Sequence, residues 1–392
     1  MSSMKESHAE SVTRKIKDTL LNLLAEKDIR QITIKEITEE AGVSRGSLYF
    51  HYEDKFEVFE EIIEEKKEGL RKAILDSLKD GSYINLHHMN LRVHPTLSFV
   101  SENKAFFRTM IDRNKMPYVN FHRFFIDIFN KEVVLSPLNV PLSPLEQELY
   151  THYRALYTYA IILYWINEGV GFSPEQISQE FWELISEKRF YWIFGNSVKE
   201  MEDKEHVDRR VLRTRQGLKE ALSELILETK NYSAVTISNI TRKSDIRRAT
   251  FYDHYTDKDA LFKEIIEDFC RNLINIFTIE ERTENYTVAE SEKVLVKLFT
   301  YLTEHLSVVH FINADYGIPD PIPEIIGCLS KFYLKQDITL KASKDMYAYY
   351  VSGMIIGLAI FWTHEGKKHS PEFLAKEFIQ FLDLKKYKIT LL

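Results

Sequence analysis

Arg45-Gly46-Ser47-Leu48-Tyr49-Phe50-His51-Tyr52-Glu53-Asp54-Lys55 returns later in the same chain as Arg248-Ala249-Thr250-Phe251-Tyr252-Asp253-His254-Tyr255-Thr256-Asp257-Lys258. Just upstream, Thr33-Ile34-Lys35-Glu36-Ile37-Thr38 returns as Thr236-Ile237-Ser238-Asn239-Ile240-Thr241, at the same offset of 203 residues (236 − 33). From Thr33 to Lys55, 10 of 23 paired positions are identical. A second match lies far downstream. Trp165-Ile166-Asn167-Glu168-Gly169, followed by Ser173-Pro174-Glu175, answers to Trp362-Thr363-His364-Glu365-Gly366, followed by Ser370-Pro371-Glu372. The repeated unit is therefore nearly a whole half-chain of about 200 residues. Two copies on one polypeptide can do alone what otherwise takes a symmetric dimer.

Around these anchors the apolar residues fall at helical spacing. Ile16, Leu20, Leu23 and Leu24 in the first copy match Leu218, Leu222, Leu225 and Ile226 in the second. Gly and Pro are scarce, at 13 and 10 of 392 residues, so the chain reads as all-α. Residues 1 to about 12 read as a disordered arm. Thr33 with Glu36 forms a capping-box pattern for a short second helix. Thr236 can cap in the same way, but Asn239 stands where the box wants Glu, so that box is expected to be incomplete. Gly42 supplies a left-handed turn residue and Ser44 the cap of the next helix. Asp245 keeps the second copy's turn, since Asp tolerates that conformation better than most residues. Ile37, Val43 and Leu48, with Ile240, Ile246 and Phe251 opposite number for number, are the expected contacts between the two short helices. The expected domains are 13–58 and 209–262 for the helix-turn-helix units, 59–195 and 263–392 for helical regulatory and dimerisation parts, and 196–208 for a charged linker.

Helix, short helix, four-residue turn and helix is the plan that places its last helix in a DNA major groove. With the turn Gly, the small residue, the Tyr, the aromatic pair and the Lys, Thr33 to Lys55 resembles the DNA-binding domain of the TetR family of bacterial regulators. Ala249-Thr250-Phe251-Tyr252-Asp253-His254-Tyr255 carries the same resemblance in the second copy. The Trp-x-x-Glu-Gly segments with Ser-Pro-Glu are similar to the C-terminal end of many members, including those like the dihydroxyacetone-kinase operon activator. The resemblance implies two TetR-like halves packed as an intramolecular pseudo-dimer. It also implies a transcription regulator, with repression the expected sense, that binds a double-stranded operator.

The candidate DNA-binding residues follow. Arg45, Gly46 and Ser47, with Ser44 before them, and Arg247, Arg248, Ala249 and Thr250 lie at the end of each recognition helix that meets base edges. Tyr49 and Tyr252 can present hydroxyls to phosphate. Thr33, Thr236, Lys55 and Lys258 sit at helix starts, which favour phosphate. His51 and His254 belong to the same set, although with Tyr52 and Tyr255 they suit packing of the helix junction better than reading of sequence. The copies cannot read the same bases identically, so the expected operator is an imperfect palindrome.

Dimerisation in the family uses the last two helices, here expected at 149–168 with 174–187 and at 345–365 with 371–384. Gly353 and Gly357, four apart, let the second copy's helix approach closely. The aromatic segments between suit either a plain core or a small apolar effector site lined by Phe99, Phe107, Tyr118 and Phe125 and by Phe299, Phe311, Tyr316 and Phe332. His87, His88 and His94 have no Cys or acidic partner to complete a metal site, and no cofactor is implied. Gly-rich phosphate loops, nucleophile elbows and paired metal motifs are missing, which argues against an enzyme.

Net charge is −7, which argues against nonspecific coating of nucleic acid. Residues 7–55 hold 8 basic and 9 acidic side chains, whereas residues 209–258 hold 11 and 6, so the second copy offers more phosphate attraction. Met346 to Trp362 carries no charge over 17 residues, short of the roughly 20 that cross a bilayer, and reads as a buried or interface helix. Cys270 and Cys328 have no metal-type spacing and are expected to stay reduced in a cytoplasm, and Met1 to Lys17 lacks the apolar core of a signal peptide. A scaffold that kept this fold without binding DNA is the alternative, consistent with the acidic first copy and its Phe50.

Overall fold

The computed structural model describes residues 2–79, 95–112, 120–132, 143–169, 171–186, 209–278, 288–313, 316–336, 342–364 and 366–382. The regular elements among these residues are all helices, with no strand among them. Tyr118, the three histidines 87, 88 and 94, and the linker at 196–208 lie outside the described residues.

The first copy begins with α1 (Ser2–Leu24), α2 (Ile34–Ala41), α3 (Arg45–His51) and α4 (Lys55–Lys79). Helix α1 starts at Ser2, not after residue 12: Met, Lys, Glu and Ala favour helix there, and neither Gly nor Pro breaks it. It buries Ile16, Leu20, Leu23 and Leu24, the row read from the spacing. The second copy repeats the unit with α10 (Arg209–Thr229), α11 (Ile237–Lys243), α12 (Arg248–His254) and α13 (Lys258–Phe277). Each unit is pinned across its first and last helices by the same ion triad. Lys17 meets Glu61 and Glu65, and Lys219 meets Glu264 and Asp268. The boundaries expected at 58/59 and 262/263 fall inside α4 and α13, so continuous helices join each helix-turn-helix to the rest of its copy.

The rest of the first copy holds α5 (Pro95–Glu102), α6 (Lys104–Ile111), α7 (Phe121–Glu132), α8 (Pro144–Asn167) and α9 (Pro174–Ser186). Its counterpart holds α14 (Val288–Glu304), α15 (Leu306–Asn313), α16 (Ile322–Leu334), α17 (Lys344–His364) and α18 (Pro371–Leu382). Helix α8 begins five residues before its expected start, because Ser143 and Glu146 form a full capping box around Pro144. Helix α17 is the one described helix long and apolar enough to cross a membrane, yet 94% of its most apolar window is buried within the chain.

Helix α17 buries itself chiefly against α8 and α16. At its contact with α8 the glycines do what their spacing predicts. A Cβ on Gly353 would lie 2.6 Å from the Leu156 carbonyl oxygen, and one on Gly357 would lie 2.7 Å from that of His152. The downstream match has an offset of 197 (362 − 165), which makes Tyr153 and Tyr350 equivalent. Their hydroxyls meet at 2.6 Å in the buried seam. The same offset relates two flanking ring pairs, Tyr164 with Tyr349 at 5.5 Å and Phe361 with His152 at 6.4 Å. A residue that meets its own equivalent, with matched pairs to either side, is the contact pattern of a twofold axis.

Candidate nucleic-acid interface

Each helix-turn-helix is built by local hydrogen bonds that leave one face open. In the first copy the Thr33 hydroxyl accepts from the Glu36 N–H at 3.2 Å, while the Glu36 carboxylate accepts from the Thr33 N–H at 2.8 Å. In the second, Asn239 completes the box after all. Its Oδ1 accepts from the Thr236 N–H at 3.1 Å, and its own N–H donates to the Thr236 hydroxyl at 3.2 Å. A side-chain amide oxygen reaches the same donor that a carboxylate does, so the expected gap in this cap is corrected.

The turns differ in residue but not in shape. Gly42 has φ +64° and Asp245 φ +54°, both left-handed. The next N–H closes each turn, Val43 onto the Thr38 carbonyl and Ile246 onto that of Thr241, both at 3.0 Å. Ser44 then caps α3 by accepting from the Ser47 N–H at 3.0 Å, and the two hydroxyls pair at 2.9 Å. Arg247 holds the equivalent cap position of α12 and makes no side-chain cap bond, which leaves its guanidinium outside.

Leu48 and Phe251 are fully buried, and Tyr52 and Tyr255 nearly so, which seats both recognition helices. Arg45, Tyr49, Arg247, Arg248 and Tyr252 are exposed, with Tyr49 at 57% and Tyr252 at 47%. Arg248 donates to the Tyr252 hydroxyl at 3.2 Å and lies over its ring. Gly46 faces open space, since a Cβ there would meet only the Ser44 hydroxyl at 3.7 Å. Nothing inside the domain requires so small a residue. His51 and His254 are half-buried, and Thr250 and Ser47 lie at the edge of the open face.

Lys55 and Lys258 turn inward. Lys55 donates to the carbonyls of Ile32 at 2.6 Å and Arg30 at 3.3 Å, and Lys258 to those of Tyr232 at 2.7 Å and Val235 at 3.0 Å. Burial lowers the Lys258 pKa. These ammonium groups clamp the loop that delivers Thr33 and Thr236 to their caps, a role that lysine at a helix start does not reveal in sequence.

The two faces differ in charge. Glu36 is held down to about 2 by Lys27 and by the Thr33 N–H and hydroxyl, so a full carboxylate stands at the start of α2. Asn239 makes the same bonds without charge. Helix α2 goes on with Glu39 and Glu40 where α11 has Arg242 and Lys243. Arg45 is the unpaired cation on the first face among the described residues, against Arg242 and Arg247 together with the Tyr252-bound Arg248 on the second.

The residues expected to line an effector site are largely core. Phe107 and Phe125 are fully buried and packed ring to ring through Phe121, at 5.9 and 5.4 Å, with Phe99 half-buried 6.3 Å from Phe107. Phe299 and Phe311 are buried, and Tyr316 and Phe332 half-buried. Phe299 alone of these lines a narrow crevice across the copies, with Leu145, Leu149, Phe361, Leu374 and Phe378.

Comparison with known proteins agrees with this geometry. The family of bacterial regulatory proteins called tetR matches twice, at residues 16–62 and 223–265. The uncharacterized HTH-type transcriptional regulator YxbF of Bacillus subtilis is 50% identical over 384 residues, covering 98% of this chain and 100% of its own. The HTH-type transcriptional repressor BepR of Brucella suis is 50% identical over 38 residues, 10% of this chain and 18% of its own. The icaADBC negative transcriptional regulator IcaR of Staphylococcus epidermidis is 22% identical over 125 residues, 32% of this chain and 63% of its own. With a helix-turn-helix in each half and a full-length relative among HTH-type regulators, the chain belongs to the TetR family of bacterial transcriptional regulators.

Proposed function

We propose that one chain is one complete operator-binding unit, a cytoplasmic pseudo-dimer that represses transcription from an imperfect palindrome. The observation that carries this reading is the seam between α8 and α17, where Tyr153 and Tyr350 meet as equivalents. A family member made of two separate chains buries such a surface between them; here it is filled within one polypeptide. Two recognition helices tied to one axis suit successive major grooves about one helical turn apart. BepR is a transcriptional repressor and IcaR a negative transcriptional regulator, which is the sense proposed here. Release by a small apolar effector would act at the crevice beside Phe299, which touches both copies, and such a ligand must widen it on entry.

In-vitro selection of bound duplexes from random DNA, with the purified chain and its mass measured in solution, tests the reading. Two unequal half-sites about one turn apart, bound by a particle of one chain, are expected. An obligate dimer of chains, or a perfectly symmetric site, contradicts it. The acidic first face with its exposed Phe50 favours one rival, a scaffold of the same fold, for which no duplex is enriched.

A further inference from the structure

The two recognition helices differ most sharply at a single exposed position. Phe50 is 82% exposed, and Asp253 stands in its place in the second copy. Within the domain the Phe50 ring makes an edge contact with His51, centroids 5.0 Å apart, and is otherwise open. It lies one helical turn beyond Gly46 on the same strip of α3, beside Tyr49 and away from the buried Leu48 and Tyr52. Gly46 keeps that strip low, so whatever approaches the glycine also meets the ring. Phe56, 45% exposed at the start of α4, likewise has Asp259 as its counterpart.

This apolar strip sits on the copy that is poor in free cations, and the acidic counterpart sits on the copy that is rich in them. We infer that the two halves bind DNA in different ways. The second copy holds its half-site chiefly by the positive charge of Arg242, Arg247 and Arg248, whether a guanidinium meets a base edge or a phosphate. The first reads its half-site through the Phe50 ring laid against thymine C5-methyl groups in the major groove, where such apolar contact distinguishes thymine. Asp253 cannot do the same, because a carboxylate gains nothing from a methyl group and is repelled by phosphate. This assignment rests on the operator-binding reading above and adds the chemistry by which each half-site is recognised.

The test uses the intact chain and the duplex enriched by selection, with each thymine replaced in turn by deoxyuracil, which removes only the C5-methyl group. In the wild type, one or more replacements in a single half-site are expected to weaken binding about fourfold, the value of one buried methyl group. Phe50→Ala, at an exposed position that leaves the fold intact, should bind more weakly, lose that sensitivity and keep its salt dependence. Asp253→Phe should gain methyl sensitivity in the other half-site. Full retention of deoxyuracil sensitivity by Phe50→Ala overturns the inference while leaving the operator-binding reading in place. Unchanged affinity of that variant also overturns it and points to a protein partner on the ring. Failure to enrich any duplex overturns the operator-binding reading itself.

Discussion

Gly353→Ala separates two effects of opposite sign. Within a helix, Ala in place of Gly is favoured by about 0.8–1 kcal/mol, so an uncrowded Gly353 would give a more stable protein. The seam predicts the reverse. The new methyl group would stand 2.6 Å from the Leu156 carbonyl oxygen, 2.7 Å from the Ala160 Cβ and 2.9 Å from the Tyr157 Cα. Ordinary contact begins at 3.4 Å, so α8 and α17 must part by 0.8 Å (3.4 − 2.6) at this point. Two of the three obstructing atoms are backbone and cannot rotate away. Overpacking of this kind costs roughly 1–3 kcal/mol. With the helix gain set against the upper part of that range, the expected net loss is about 1–2 kcal/mol. Gly357→Ala meets the His152 carbonyl at 2.7 Å and should cost a similar amount. The double variant should cost less than the sum, since one parting of the helices relieves both contacts. Urea unfolding of the intact chain reads this as a lower midpoint at constant slope. A midpoint raised by Gly353→Ala would refute the close approach, and with it the packing on which the single-chain axis rests.

Three further outcomes follow from individual residues. Replacing Arg242, Arg247 and Arg248 together by Ala should flatten the plot of log affinity against log salt by up to about 2.7, roughly 0.9 for each phosphate neutralised, whereas Arg45→Ala should change it by at most about 0.9; equal changes would contradict the charge asymmetry. Burial holds the His152 pKa down to about 4, aided by His364 and His122 and opposed by a hydrogen bond to the Glu148 carbonyl. Unfolded His152 therefore takes up its proton first as pH falls. The chain should lose up to about 3 kcal/mol between roughly pH 6.5 and 4, and His152→Leu should remove most of that loss in urea midpoints compared at pH 8 and pH 5. The neighbouring Cys270 thiol lowers the Cys328 pKa to about 7, while the Cys328 thiol and burial push Cys270 up. Iodoacetamide should thus label Cys328 at neutral pH, and Cys270→Ala should slow the reaction at pH 7 but not at pH 9.5, followed by mass spectrometry of peptides.

What could be read in advance was local or repeated. Thr33 and Ser44 cap because their own hydroxyls reach their own helices, and Gly42 turns because of its own φ, so three or four letters suffice for each. Gly353 and Gly357 were legible for a different reason: two glycines four apart on an otherwise bulky helix leave little purpose except close approach. The inward turn of Lys55 was not legible, because its acceptors, the Arg30 and Ile32 carbonyls, lie over twenty residues upstream and meet it only once the loop has folded. Asn239 was misjudged because a box pattern counts residue types, whereas the cap needs only an oxygen at the right reach. The early start of α8 was written plainly as Ser143-Pro144-Leu145-Glu146, a capping Ser with Pro at the first helical position and Glu three residues on from the cap. The phenylalanines of α6 and α7 posed the hardest case. Composition cannot distinguish a lined chamber from rings packed upon one another, and only the separations between Phe107, Phe121 and Phe125 decide it.

Covalent duplication frees each side of the axis to change alone. In a homodimer, a residue beside the twofold axis appears on both sides, so any change must be tolerated twice. Here Ser343, which caps α17, donates to the Glu180 carboxylate at 2.6 Å. The offset of 197 makes their equivalents Glu146 and Glu377, two carboxylates that border the crevice beside Phe299. One side of the seam is thus closed by a hydrogen bond, and the other stands slightly open between like charges. Gly353 likewise faces Leu156, its own equivalent, so one helix gives up bulk and its mate keeps it. The same freedom extends to the recognition helices. Phe50 against Asp253, and Glu36 against Asn239, are differences that two identical chains could never present to one operator. Tethering fixes both versions in every molecule at a ratio of one to one. An asymmetric seam and asymmetric recognition helices therefore have the same physical origin, and under the operator-binding reading proposed above the expected target is a site with two unlike halves.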